Sequence, residues 1–176
     1  MKTYRSPRDV LAQVNTVIAE NKPSANSPSV LVQVAKLLHD ARNYYRVGIY
    51  LVVKDRVVRQ AVCGPDLAQP GKTLSTSEVA VPIQLGTQLL GYLRAEGEQT
   101  GGAGLPPEDR ILLKEVALLL ARYLHGKGRF LMRKAREVVR EAAAAVVEDR
   151  RAASPVKAEV PKRESLRAAA GEKVSA

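Results

Sequence analysis

Residues 77–96, SEVAVPIQLGTQLLGYLRAE, decide the fold. EVAVPIQL alternates apolar and polar side chains, the period of a strand with one buried face. Gly86-Thr87 interrupts the alternation, and QLLGYLRAE resumes it, so the stretch reads as a β-hairpin. Upstream, RVGIYLVV and VVRQAVC flank a tight turn at Lys54-Asp55-Arg56 and read as a second hairpin.

Helical patterns bracket the hairpins. Ser6-Pro7-Arg8-Asp9 is a helix start, with Ser6 as N-cap, Pro7 at the first helical position and Asp9 answering at the third. Val10, Leu11, Val14, Val17 and Ile18 then form one stripe. After a loop over residues 21–28, a second helix is expected from about Pro28 to Ala41, with Val30, Leu31, Val34, Leu37 and Leu38 on one side. GEQTGGAGLPP is a loop, and a strong helix follows from roughly Glu108 to His125. Helix, helix, two hairpins and helix give an α+β fold: one antiparallel sheet with helices packed on one face.

The region between the hairpins, AVCGPDLAQPGKT (61–73), ends in Gly-Lys-Thr and invites comparison with a phosphate-binding loop. Such a loop needs Gly-x4-Gly-Lys-Ser/Thr followed by a helix. Here Gly64 lies seven residues before Gly71, Pro70 removes an N–H, and a strand pattern follows. The stretch is a basic turn between strands. Cys63, the single cysteine, has no base placed beside it by spacing, so a structural cysteine is the default. Two clean alternatives remain for its register. A two-residue turn at Lys54-Asp55 puts it beside Arg46 on the open face, and a three-residue turn puts it on the helix-packed face.

The net charge is +10 over 176 residues. Residues 1–128 hold 16 Lys and Arg against 11 Asp and Glu, while residues 129–176 hold 12 against 7, so the tail is the more basic part. Its basic residues are not interleaved with aromatics, so a solvated tail is favoured over nucleic-acid binding. One cysteine precludes an internal disulfide, and no apolar run suits a leader or a membrane span. A cytoplasmic chain with no membrane association is expected. No clustered ligands suggest a metal, and no cofactor is expected.

With VGIYLV, VRQAVCG, SEVAVPIQLGTQLLGYL and PEDRILLKEVALLLARYL in this order, residues 7–125 resemble a GAF domain. Within that family the pattern is most similar to the free methionine-(R)-sulfoxide reductases. Those enzymes carry their catalytic cysteines in a long segment before the third strand. Here about thirteen residues, Pro65 to Ser77, span that gap and contain no cysteine. At the positions the resemblance assigns to substrate, Tyr50 and Glu78 match, and Glu96 keeps the charge of an expected Asp. Arg46 stands in place of an aromatic residue and Arg94 in place of a carboxylate, which reverses the field that would hold a substrate ammonium group.

The resemblance also orients the sheet. Val47, Ile49, Leu51, Val79, Val81, Ile83, Leu89 and Leu93 are expected to face the helices. Arg46, Gly48, Tyr50, Glu78, Gln84, Tyr92, Arg94 and Glu96 are expected on the other face. Of these, Arg46, Tyr50, Glu78, Tyr92, Arg94 and Glu96 form the candidate ligand- or partner-binding face, suited to a small polar or anionic ligand or a docking protein, against the favoured plainer reading of a solvated surface with cross-strand ion pairs.

Gly126-Lys127-Gly128 breaks the third helix, and RFLMRKAREVVREAAAAVVEDRR reads as another. Met132, Ala135, Val139, Ala142 and Val146 recur at spacings of three and four, a short heptad stripe. It can lie on its own domain or, through Met132, Val139 and Val146, pair with a second copy. The expected organisation is a minimal GAF-like domain over residues 1–126, an amphipathic helix over 127–151, and a disordered basic tail over 152–176. The function expected is a non-catalytic regulatory module that forms a homodimer or binds a signalling protein. The alternatives are a divergent sulfoxide reductase using Cys63 and nucleic-acid association through the tail.

Overall fold

The computed structural model describes residues 4–20, 28–65, 76–98 and 105–152. The expected loops therefore fall largely outside the described residues, as does the tail beyond Ala152. The elements are α1 (Pro7–Glu20), α2 (Val30–Arg42), β1 (Arg46–Val53), β2 (Arg56–Cys63), β3 (Thr76–Leu85), β4 (Gln88–Glu98), α3 (Pro107–His125) and α4 (Arg129–Ala152).

The helix ends have local causes. Asp9 N–H donates to Ser6 Oγ at 3.2 Å and the Ser6 hydroxyl donates to Asp9 Oδ2 at 2.6 Å, so the expected start of α1 is in place. Ser29 caps α2, its Oγ accepting from Val32 N–H at 3.3 Å. Asn43 ends α2 in the left-handed region at φ 54°, a conformation asparagine tolerates better than most residues. Gly126 N–H closes α3 onto Arg122 and Tyr123 carbonyls at 3.0 and 3.1 Å.

The four strands form one antiparallel sheet in the order β2-β1-β4-β3. α2 packs on β1 and β2, α3 packs on β3 and β4, and α1 packs on α2 and α3. Val47, Ile49 and Leu51 of β1, Ile83 of β3, and Leu93 and Ala95 of β4 are completely buried in this layer, with Leu38, Leu113 and Leu120 from the helices. Each of these Val, Leu and Ile side chains contributes about 1.5–3 kcal/mol by leaving water. Among the described residues no helix is long and apolar enough to cross a membrane.

Two β-bulges set which residues face where. In the β1–β2 hairpin the turn is Lys54-Asp55, both at positive φ (48° and 63°), a two-residue connection of the kind that matches strand twist. By that turn alone Cys63 would sit opposite Arg46. Register shifts between Ile49 and Tyr50, however, where Tyr50 pairs with Arg59 and Ile49 with Ala61, leaving Gln60 as an extra residue in β2. Cys63 therefore lies opposite Val47, on the helix-packed face, and is partly buried against the core. The second bulge corrects an expectation. Ile83 pairs with Gly91 but Gln84 pairs with Leu89, so Leu90 is the extra residue in β4. Leu89 thereby shares the face of Gln84 and is 38% exposed, whereas Leu90 is buried.

α4 folds back to touch α3, β1 and β2. Leu131, Ala135 and Val139 are buried there, Met132 is half-buried, and Gly128 lies under the Tyr123 ring, which a β-carbon would approach at 2.6 Å. Of the residues expected to pair with a second copy, Val139 is therefore occupied within its own chain. Val146 lies outside the residues described at side-chain level. Among the described side chains of α4, Phe130 and Val138 are the large apolar ones left exposed.

Candidate functional site

All six residues of the candidate face share one side of the sheet, in rows that cross the strands. One row is Arg46, Glu96 and Glu78 on β1, β4 and β3. The next is Gly48, Arg94 and Ala80, and the third is Tyr50, Tyr92 and Pro82, with Arg59 of β2 beside Tyr50. Glu78 and Glu96 are directly opposite, a destabilising juxtaposition when uncompensated. Each has its own cation. Arg94 reaches diagonally to hydrogen-bond Glu78 through Nε and NH2. Arg46 pairs with Glu96 at 3.9 Å, both side chains largely shielded from solvent. Tyr50 lays its ring over Gly48, where a β-carbon would stand 2.5 Å from the ring, and Arg94 sits 5.7 Å from the ring centroid.

Arg46, Glu96, Arg94 and Glu78 thus neutralise one another in two pairs, while Arg59 adds an exposed cation at the edge of the face. Neither carboxylate is left to receive an ammonium group, and neither paired guanidinium is left to receive an anion. A ligand binding here must displace one of these pairs or hydrogen-bond around them. Cys63, on the opposite side of the sheet, does not take part.

A second cluster escaped the sequence analysis. Arg42, at the end of α2, is fully buried at its side chain and bonds to Asp109 in the first turn of α3 through Nε at 2.7 Å, and also through NH2. NH2 also donates to Glu108 at 2.8 Å, and NH1 donates to the Arg5 carbonyl at 2.7 Å. Tyr4 stacks on the guanidinium at 3.9 Å and donates its hydroxyl proton to Glu108 at 2.9 Å. The Tyr44 hydroxyl is buried beside this group without a well-aligned partner. Burial pushes the Tyr44 phenol well above its ordinary value, and the Asp109 charge adds to the shift. Burial likewise raises Asp109, only partly offset by its bonds from Arg42, whereas the bond from Arg42 holds Glu108 below the usual carboxylate range.

A signal for this cluster was present. Leu31, Ala35, Leu38 and Arg42 lie on one helical stripe, and Asp109, Leu112, Leu113 and Val116 on another, so each stripe ends in a charge. The network joins the segment before α1 to α2 and α3. Its geometry is that of a clamp, in which the charged members satisfy one another.

Among the described residues no group of His, Cys, Asp and Glu could hold a metal ion. Two grooves are present elsewhere. One of about 490 Å³ lies between the start of β4, the end of α3 and the start of α4, and one of about 430 Å³ runs between β3 and α3 beside Lys114 and Leu118.

No protein-family model matches the chain, and no curated protein does. Solved structures do. A free methionine-R-sulfoxide reductase from Neisseria meningitidis, in complex with its substrate, is 21% identical with a TM-score of 0.54, covering 79% of this chain and 99% of that one. The GAF domain of a phosphoenolpyruvate-protein phosphotransferase from Coxiella burnetii is 15% identical with a TM-score of 0.55, covering 72% and 97%. A GAF domain from A. Aeolicus, in an inactive state, is 11% identical with a TM-score of 0.52, covering 68% and 95%. At such identities the likeness is one of architecture, and the architecture that this sheet, its helices and their order reproduce is the GAF fold.

Proposed function

We propose that this chain is a non-catalytic regulatory module of GAF type, acting by association with a second copy of itself or with a signalling protein. The observation that carries the reading is the separation of the thiol from the polar face. Cys63 lies opposite Val47 on the helix-packed side, whereas Arg46, Tyr50, Glu78, Tyr92, Arg94 and Glu96 lie on the other. A nucleophile must reach the atom it attacks, at roughly 3–3.5 Å, and a sheet stands between this one and any ligand on the open face. Arg94, already held by Glu78, opposes the amine of a free amino acid.

The open face is then a docking or sensing surface for a polar ligand able to replace the Arg94–Glu78 contact. That pair is roughly half exposed, so separating it costs at most about 1 kcal/mol, a small charge against a binding event. The neighbours with this fold include both a phosphotransferase GAF domain and sulfoxide reductases, so the experiment must discriminate catalysis directly. Purified chain is assayed for reduction of free methionine-R-sulfoxide with dithiothreitol as reductant, beside Cys63→Ser. No turnover in either, with both folded, is the expected result. Turnover abolished by the substitution would establish the reductase reading in its place.

A further inference from the structure

Among the described residues, a run of uncompensated positive charge lies on α4. Its first two turns, Arg129-Phe130-Leu131-Met132-Arg133-Lys134-Ala135-Arg136, hold four cations and no carboxylate. The amino end of a helix is its positive end, where anions are favoured and cations are not. Arg129, Arg133 and Arg136 recur at spacings of four and three, which places them along one side of the helix. All three are exposed, and among the described residues none has an ion-pair partner.

These arginines border the groove of about 490 Å³, whose apolar wall is Leu90, Leu124 and Met132. Leu90 is there because of the bulge in β4 that turns Leu89 outward. An apolar wall beneath a row of unpaired guanidiniums calls for a ligand with both characters. A bare phosphate would leave the wall wet, and a neutral lipid would leave the cations without counter-charge. The size is that of a small-molecule site, not of a macromolecular interface.

We propose that this groove binds an aliphatic carboxylate, its head on Arg129, Arg133 and Arg136 and its chain along Leu90, Leu124 and Met132. The site shares no residue with the open sheet face and stands whether or not that face binds a ligand. Guanidinium groups accept a carboxylate in a two-pronged arrangement, and the adjacent low-dielectric wall strengthens it.

The test is isothermal titration of the full chain with sodium dodecanoate below its critical micelle concentration. Saturable binding at one molecule per chain is expected, weakening by roughly two- to fourfold for each methylene removed on going to octanoate. Arg133→Gln/Arg136→Gln should weaken it by about tenfold or more, and dodecyltrimethylammonium should not bind at the site. Lys134→Gln removes a charge from the same helix outside the groove and should leave the affinity within about twofold. The proposal is overturned by absence of saturable binding, by equal binding of the cationic amphiphile, or by an unchanged affinity in the double variant. An equal loss in Lys134→Gln also overturns it, since net charge and not the groove would then be responsible.

Discussion

Replacing Arg42 by Met tests whether the clamp between α2 and α3 holds the helical layer together. The substitution keeps most of the aliphatic volume and removes the guanidinium, stranding the Asp109 carboxylate at 3% side-chain exposure with no cation beside it. It also deletes the bonds to Glu108 and to the Arg5 carbonyl and the stacking of Tyr4. Breaking a buried pair from one side costs about 3–5 kcal/mol, chiefly the penalty of the charge left behind. For a domain of this size that lowers Tm by roughly 10–20 °C. Urea and thermal unfolding followed by circular dichroism read the loss. Arg42→Met/Asp109→Leu removes both charges and should recover at least half of it, because the stranded carboxylate is gone. The pH dependence has a definite sign. Burial holds the folded pKa of Asp109 above its ordinary 3.8, so this group's contribution is full below that value and is lost as pH rises through the folded one. Without Arg42 the rise is larger and the protonated acid is better tolerated. Glu108, lowered by Arg42, acts in the wild type in the opposite sense, losing its contribution on acidification. Both effects make the deficit of Arg42→Met smaller at about pH 4 than at about pH 7. A loss below about 1 kcal/mol, additive single substitutions, or a deficit that grows on acidification would refute the reasoning.

Gly91→Ala should cost about 2 kcal/mol or more in urea unfolding, because its β-carbon would stand 2.1 Å from the Tyr50 carbonyl oxygen and the central strands must part. Gly86→Ala meets no atom within 4 Å and should cost only about 1 kcal/mol, the penalty of its φ of 59°. Val139→Glu, at 8% exposure, should release α4 from the domain and open its amides to hydrogen exchange, whereas Val138→Glu should change stability by less than about 0.5 kcal/mol. Light scattering at tens of micromolar, an ordinary range for weak association, should give the mass of two chains. A single-chain mass for the wild type would remove self-association as the mode of action.

Periodicity carried most of the architecture. The stripes of α1, α2 and α3 and the alternation of the two hairpins are properties of single segments, so they can be read without knowing what packs on them. Facing is harder. Leu89 and Leu90 are chemically identical, and only the pairing of Gln84 with Leu89 decides which one is buried. Likewise a tight turn at Lys54-Asp55-Arg56 was identifiable but not its length, and even the two-residue form does not determine where Cys63 points, since a bulge intervenes between turn and cysteine. The six residues of the candidate face were placed together by alternation, but their mutual neutralisation depends on cross-strand register, which no single strand encodes. Arg42 and Asp109 were hidden for a different reason. Each ends an apolar stripe that signals its burial, but its partner comes from the other helix end, 67 residues away, and neither stripe names it.

The extra residue at Gln60 makes β2 a strand written in two frames. Up to Arg59 its odd-numbered residues point to open solvent, and from Ala61 onward they point to the helices. Length changes are therefore not equivalent along it. Removing Gln60 leaves Arg59 opposite Tyr50 and Ala61 opposite Ile49, so no side chain changes sides. Removing Val58 instead lets the strand regularise with Arg59 opposite Leu51, a guanidinium in the apolar layer. Removing Val62 swings the thiol to the open face beside Gly48. One codon lost at position 60 is silent, while one lost two positions to either side rewrites a face of the sheet.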